Sequence, residues 1–152
     1  RELLLGRATV LTPNLPELEA LTGMTAAGPG VAPQAGKRLL DRYQRLQAVL
    51  VKGGHAPEGG AITDYLVYRA KGRCERVDIT HPFIESRNSH GTGCTLATAF
   101  TAYRSLGADY PEAFRSGVAF VHKCLAAGSG ITLVKNPGGS GGLVHHLAFP
   151  AR

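Results

Sequence analysis

An α/β layer fold is predicted by three observations. Two short apolar, β-branched runs, "ATVLT" (residues 8–12) and "AVLVKGG" (residues 48–54), read as buried strands. Between them, residues 34–47 place Leu39, Tyr43 and Leu46 at helical spacing, with Arg and Asp in the gaps. Pro13 stops the first strand and a Gly-Gly turn the second, and a helix bracketed by buried strands is how a layered sheet is built.

The elements follow in order. The chain opens almost directly on the first strand. "NLPELEALTG" (residues 14–23) is a turn and a short helix, with Pro16 early in it and Gly23 as its stop. "AAGPGVAP" is a loop, followed by the helix of residues 34–47 and the second strand. "ITDYLVYR" and "RCERVDI" alternate apolar and polar residues around "AKG", and Gly72 in that turn makes a β-hairpin. "NSHGTGCTLATAF" (residues 88–100) leads from a glycine-rich loop into a helix carrying Leu96, Phe100 and Tyr103 on one face, ended by Gly107. A last helix, residues 111–127, is expected to bury Phe114, Val118, Val121 and Leu125. The tail "NPGGSGGLVHHLAF" reads as irregular.

At 152 residues the chain is one domain's worth of core, and its 43% apolar and 18% charged residues are an ordinary globular balance. No apolar run approaches the ~20 residues of a membrane span, and "RELLLGRATVL" is too short and too soon interrupted for a signal peptide. A soluble cytoplasmic protein is the expectation. Cys74, Cys94 and Cys124 are odd in number and lack close spacing, against a disulfide framework or a cysteine-rich zinc site. The formal charge of +6 is spread over Arg38, Arg42 and Arg45 on a helix and Arg69, Lys71, Arg73 and Arg76 at the hairpin. Without Trp platforms or a concentrated patch, a nucleic-acid surface is not expected. Small phosphorylated ligands are compatible with the charge.

Three segments carry chemistry. In "HGTGC", glycines let backbone N–H groups converge, and the helix behind them turns its positive end toward the loop, which suits a phosphate. Cys94 in the first helical turn is placed to take a proton from a hydroxyl beside that anion site. The competing reading is a glycine-rich helix start with a small buried Cys. In "TPNLPE", Asn14 and Glu17 follow a strand, at the end where open α/β sheets bind ligands. They could hold a hydrated Mg²⁺ bridging phosphates, or simply form a capping box. In "VKGGH", Lys52 could reach a phosphate or be an exposed loop lysine. His145 and His146 are adjacent and His122 and Cys124 are not at i,i+4, so a metal site among them is not expected. A covalent role for Cys94 with His90 lacks an orienting third group.

The order is more telling than any one segment. Through "VLTPNLPELEALTG", "VLVKGGH" and "NSHGTGCTLATAF", the chain resembles the C-terminal part of the hydroxymethylpyrimidine/phosphomethylpyrimidine kinases of thiamine biosynthesis, members of the ribokinase-like superfamily. The resemblance runs from about Leu3 to His146. It implies a three-layer αβα sandwich with a mostly parallel sheet, truncated on its N-terminal side, with residues 1–152 as one nucleotide-binding and catalytic domain. It also implies ATP and Mg²⁺ as cofactors and two phosphorylations, of a pyrimidine alcohol and then of its monophosphate. Gly91, Thr92 and Gly93 become the anion hole and Cys94 the base. Asn14 and Glu17 organise phosphates and Mg²⁺, with Glu17 acting on the metal through water, and Lys52 lies near the nucleotide phosphates.

Two departures qualify the resemblance. The family's first βαβ units and most of its aminopyrimidine pocket have no counterpart here, and the tail reads "GGSGGLVHH", with Leu143 where the family has Pro. A sheet lacking its leading strands would expose an edge, so a homo-oligomer or pairing with a missing N-terminal segment is expected. Pyridoxine or pyridoxal kinase activity is the nearest alternative. A non-catalytic nucleotide- or partner-binding remnant is the other.

Overall fold

The structure, a computed structural model, describes residues 2–25, 30–53, 60–86 and 89–129. Expectations for the 26–29 loop, for Gly54 and His55, for Asn88 and for the tail with Leu143, His145 and His146 lie outside the described residues. The elements run α1 (Glu2–Leu5), β1 (Val10–Leu11), α2 (Leu15–Thr22), α3 (Val31–Arg42), β2 (Ala48–Val51), β3 (Ala61–Ala70), β4 (Arg73–Pro82), α4 (Thr92–Ser105) and α5 (Tyr110–Gly128). They fall into two compact units, Arg1–Pro82 and Phe83–Arg152.

In the first unit the strands form one sheet in the order β1-β2-β3-β4. β1 pairs parallel with β2, and Val10 faces Ala48. β2 with β3 and β3 with β4 are antiparallel. The α/β class therefore stands, but the sheet is mixed among the described residues rather than mostly parallel. Connection length is the cause: a long crossover through α2 and α3 lets β2 return parallel, whereas a two-residue turn can only join antiparallel strands. In that turn Lys71 (φ 48°) and Gly72 (φ 76°) are both left-handed, the type I′ geometry that matches strand twist.

All four residues of β2 are inaccessible to solvent. They explain why this run has no polar alternation: it is buried on both faces. Val49 and Val51 join Leu18, Leu39, Leu40, Leu46 and Val67 in the core, each such side chain contributing roughly 1.5–3 kcal/mol on burial.

α3 differs from its expected bounds at both ends. It starts at Val31, because Gly30 (φ 85°) begins it and Pro33 is tolerated in a first turn. It stops at Arg42, where Tyr43 turns extended. Leu46 sits at helical spacing yet is buried from the turn beyond. The Arg69 guanidinium locks this turn, donating to the carbonyls of Leu40 (2.6 Å) and Leu46 (3.0 Å).

α1 corrects the expectation of a chain opening on a strand. Four residues are too few for periodicity to reveal, and the helix is held by tertiary contacts. Glu2 accepts from Tyr43 Oη at 3.0 Å and pairs with Arg42 at 3.1 Å, and Leu5 is buried.

The second unit is built on α4 and α5. Gly117 lets them approach closely: a Cβ there would lie 3.4 Å from the Phe100 nitrogen and 3.3 Å from Leu96 Cδ1. Asp109 caps α5 by accepting from the Glu112 amide at 2.8 Å. Phe114 and Val118 are buried as expected, whereas Val121 and Leu125 are only partly so, and Ala113 and Cys124 take the interior positions. None of the three cysteines forms a disulfide. No helix among the described residues is long and apolar enough to cross a membrane.

Candidate active site

The C-terminal ends of β1 and β2 bring Asn14, Glu17 and Lys52 together. Pro13 ends β1, and the Lys52 N–H donates to its carbonyl at 3.0 Å. Asn14 and Lys52 then form a parallel bridge just past the two strands. Asn14 also starts α2 in a complete capping box: its Oδ1 accepts from the Glu17 N–H, and Glu17 Oε2 accepts from the Asn14 N–H, both at 2.8 Å. The same Glu17 oxygen lies 3.8 Å from Lys52 Nζ. The capping reading of "NLPE" is thus realised, and it leaves a carboxylate side chain 57% exposed beside an ammonium.

Lys52 is followed by a feature that sequence reading missed. The Gly53 N–H donates to Asp64 Oδ1 at 2.7 Å, and Asp64 Oδ2 meets His81 Nε2 at 3.0 Å. Ile62 is opposite His81 in the β3–β4 register, so Asp64 is the diagonal neighbour on the same face. A signal was present: in "ITDYL", Asp64 alternates in phase with the fully buried Leu66, so a carboxylate had to turn inward.

The Asp64 hydrogen bond raises His81 above the ordinary imidazole range, against the opposing pull of burial. A raised folded-state value means that the pair stabilises fully below the ordinary imidazole range and less as pH rises through the folded value. Urea unfolding should therefore show wild type losing about 1 kcal/mol more than His81→Gln between pH 6 and pH 9. Parallel pH profiles for the two proteins would refute the coupling.

In the second unit, Gly91 (φ 91°) begins α4 in the left-handed region, and the cap residue makes no side-chain hydrogen bond. Thr92, Gly93 and Cys94 are the first three helical residues, and the Cys94 side of the turn is exposed. The ladder begins only with the Thr95 N–H, which donates to the Gly91 carbonyl at 2.8 Å, as does Thr95 Oγ1. The amides of Thr92, Gly93 and Cys94 precede that ladder; Thr92 makes one long contact, 3.4 Å, to the Ser89 carbonyl. α3 shares the glycine cap, so the cap alone does not set α4 apart; the exposed thiol in the first turn does. The buried-Cys reading of "GTGC" does not hold at this position.

Among the described residues no three of His, Cys, Asp and Glu gather as a metal cluster. One exposed carboxylate with a lysine beside it suits a cation held mainly by water and phosphate, the usual manner of Mg²⁺.

Solved structures place this architecture among ribokinase-like kinases. The chain matches the pyridoxal kinase from Staphylococcus aureus in complex with ADP with a TM-score of 0.78 and 32% identity, over 95% of this chain and 49% of that one. The phosphomethylpyrimidine kinase family matches residues 1–138, and the chain belongs to that family. It is 39% identical over 150 residues to the hydroxymethylpyrimidine/phosphomethylpyrimidine kinase of Bacillus subtilis (strain 168), covering 98% of this chain and 51% of the relative. With the enzyme of the same name from Rhizobium meliloti (strain 1021) the identity is 36%, over 96% and 51% of the two chains. The chain thus spans about half the length of these relatives.

Proposed function

We propose that the chain carries the nucleotide-binding and phosphoryl-transfer part of an ATP-dependent kinase that acts on 4-amino-5-hydroxymethyl-2-methylpyrimidine and its monophosphate. The observation that carries this reading is the left-handed Gly91 start of α4 with Cys94 exposed in its first turn, in a chain of this family. Gly91, Thr92 and Gly93 supply backbone N–H groups to the charge on the phosphoryl oxygens. Cys94, as thiolate, takes the proton of the substrate hydroxyl; the alcohol oxygen bonds to the γ-phosphorus as its bond to the ADP oxygen breaks. Lys52 and Asn14 are assigned to the nucleotide phosphates, and Glu17 would hold Mg²⁺ through water. Bound Mg²⁺ would offset charge on the β- and γ-phosphates. The pocket for the pyrimidine ring is assigned to the half of the relatives' length that these 152 residues do not match, supplied by a preceding segment or a second polypeptide.

Pyridoxal is the second substrate class, favoured by the likeness to the S. aureus pyridoxal kinase. ADP formation should be followed with both alcohols, using this chain alone and joined in frame behind the N-terminal half of the B. subtilis relative. At least tenfold faster turnover of the pyrimidine supports the proposal, and the reverse preference assigns pyridoxal. Turnover of neither alcohol by the joined protein, with MgATP still bound, would leave the nucleotide-binding remnant as the function.

A further inference from the structure

Asp64 is an ionisable side chain in the middle of β3, only 10% exposed, and its carboxylate joins the two flanking strands: one oxygen accepts from the Gly53 N–H at the end of β2 and the other meets His81 on β4. The β2–β3 register ends at Val51 opposite Tyr65. Beyond it the β2–β3 ladder stops although the backbone stays against β3: the Lys52 N–H donates to Pro13, and the Gly53 N–H is taken by the Asp64 carboxylate. Gly53 is also clamped sterically, since a Cβ would lie 2.0 Å from the Thr63 carbonyl oxygen. The peptide that follows Lys52 is therefore fixed by one hydrogen bond and one backbone contact, and Lys52 Nζ reaches Glu17 from this fixed base. A buried carboxylate–imidazole pair adds little to stability compared with apolar residues of similar volume. What an apolar residue could not do is accept the Gly53 N–H.

We propose that Asp64, braced by His81, is a positioning residue for nucleotide phosphates, acting through the Gly53 peptide on Lys52. This rests on the ATP reading above and adds to it a strut that spans β4, β3 and the end of β2. Preorganised strand ends bind phosphate without spending affinity on ordering the backbone.

The test is a calorimetric titration of the full 152-residue chain with MgADP, each variant being checked for thermal unfolding. Asp64→Ala should weaken MgADP about tenfold. Asp64→Asn should stay within about threefold, because its amide oxygen still accepts from Gly53 and its NH₂ can donate to a neutral imidazole. In a Lys52→Met background, Asp64→Ala should cost less than about twofold more, since coupled residues are not additive. A general structural role predicts full additivity, and that result would overturn the proposal. So would unchanged affinity in folded Asp64→Ala. Should Asp64→Ala fail to fold, His81→Leu gives the same cycle with an expected loss of about threefold, and an uncoupled or absent loss overturns the proposal equally. Absence of MgADP binding by the unaltered chain would sink the ATP reading and this proposal together. Normal binding with additive or silent variants would sink this one alone.

Discussion

Gly53→Ala should destabilise the protein by about 3 kcal/mol and lower its Tm by about 10 °C. The methyl group would be built 2.0 Å from the Thr63 carbonyl oxygen, with the Thr63 carbonyl carbon at 2.7 Å. Both atoms are backbone in the sheet, so no rotamer change relieves the contact; either β3 bends or the end of β2 lifts away. Lifting would also break the hydrogen bond from Gly53 to Asp64 and expose a buried carboxylate. Gly36→Ala is the control. Its nearest neighbour would be a Val67 methyl at 3.2 Å, a side chain that can yield, and alanine favours the helix in which residue 36 lies. Thermal unfolding followed by circular dichroism should separate the two variants by several degrees. A loss under 1 kcal/mol in Gly53→Ala would mean that the strand end is not clamped.

Cys94→Ala should reduce the first phosphorylation about 10²–10³-fold in kcat while leaving the second within about tenfold. The two steps differ in their nucleophiles. An alcohol must lose its proton as it attacks, whereas a phosphate monoester arrives already anionic and depends on alignment and charge neutralisation. In the proposed role, the thiol exposed in the first turn of α4 would serve the first need and be dispensable for the second. Separate assays of the two acceptors with the chain joined behind the N-terminal half of the B. subtilis relative would measure both rates. Equal loss of both activities would remove Cys94 from the role of base.

What the sequence disclosed depended on how far a pattern reaches along the chain. The capping box of Asn14 and Glu17, the buried β2 run, the hairpin at Gly72 and the glycine start of α4 are each set within a few residues, and each is found in the structure. α1 and the early stop of α3 were not legible, because both are set by partners tens of residues away: Glu2 by Arg42 and Tyr43, and the turn after α3 by Arg69. The Asp64–His81 contact was hidden for a related reason. The two residues are 17 apart and become neighbours only once the hairpin register is known. The inward phase of Asp64 foretold that it would be buried, but not which N–H it would hold. Proximity of Asn14 to Lys52 was likewise a matter of the parallel β1–β2 pairing, although each had been singled out by its own motif.

The corner at Asn14 has a consequence for motion. Helix ends ordinarily fray, opening and closing with little cost because their first amides lack partners. Here the residue that starts α2 also bridges to Lys52 at the end of the sheet, and its own N–H is held by the Glu17 carboxylate. To unwind the first turn of α2 the protein must undo that bridge and loosen the seat of Lys52 as well. Sheet and helix thus share a seam with no hinge in it, and a ligand that settles there meets a surface already at rest.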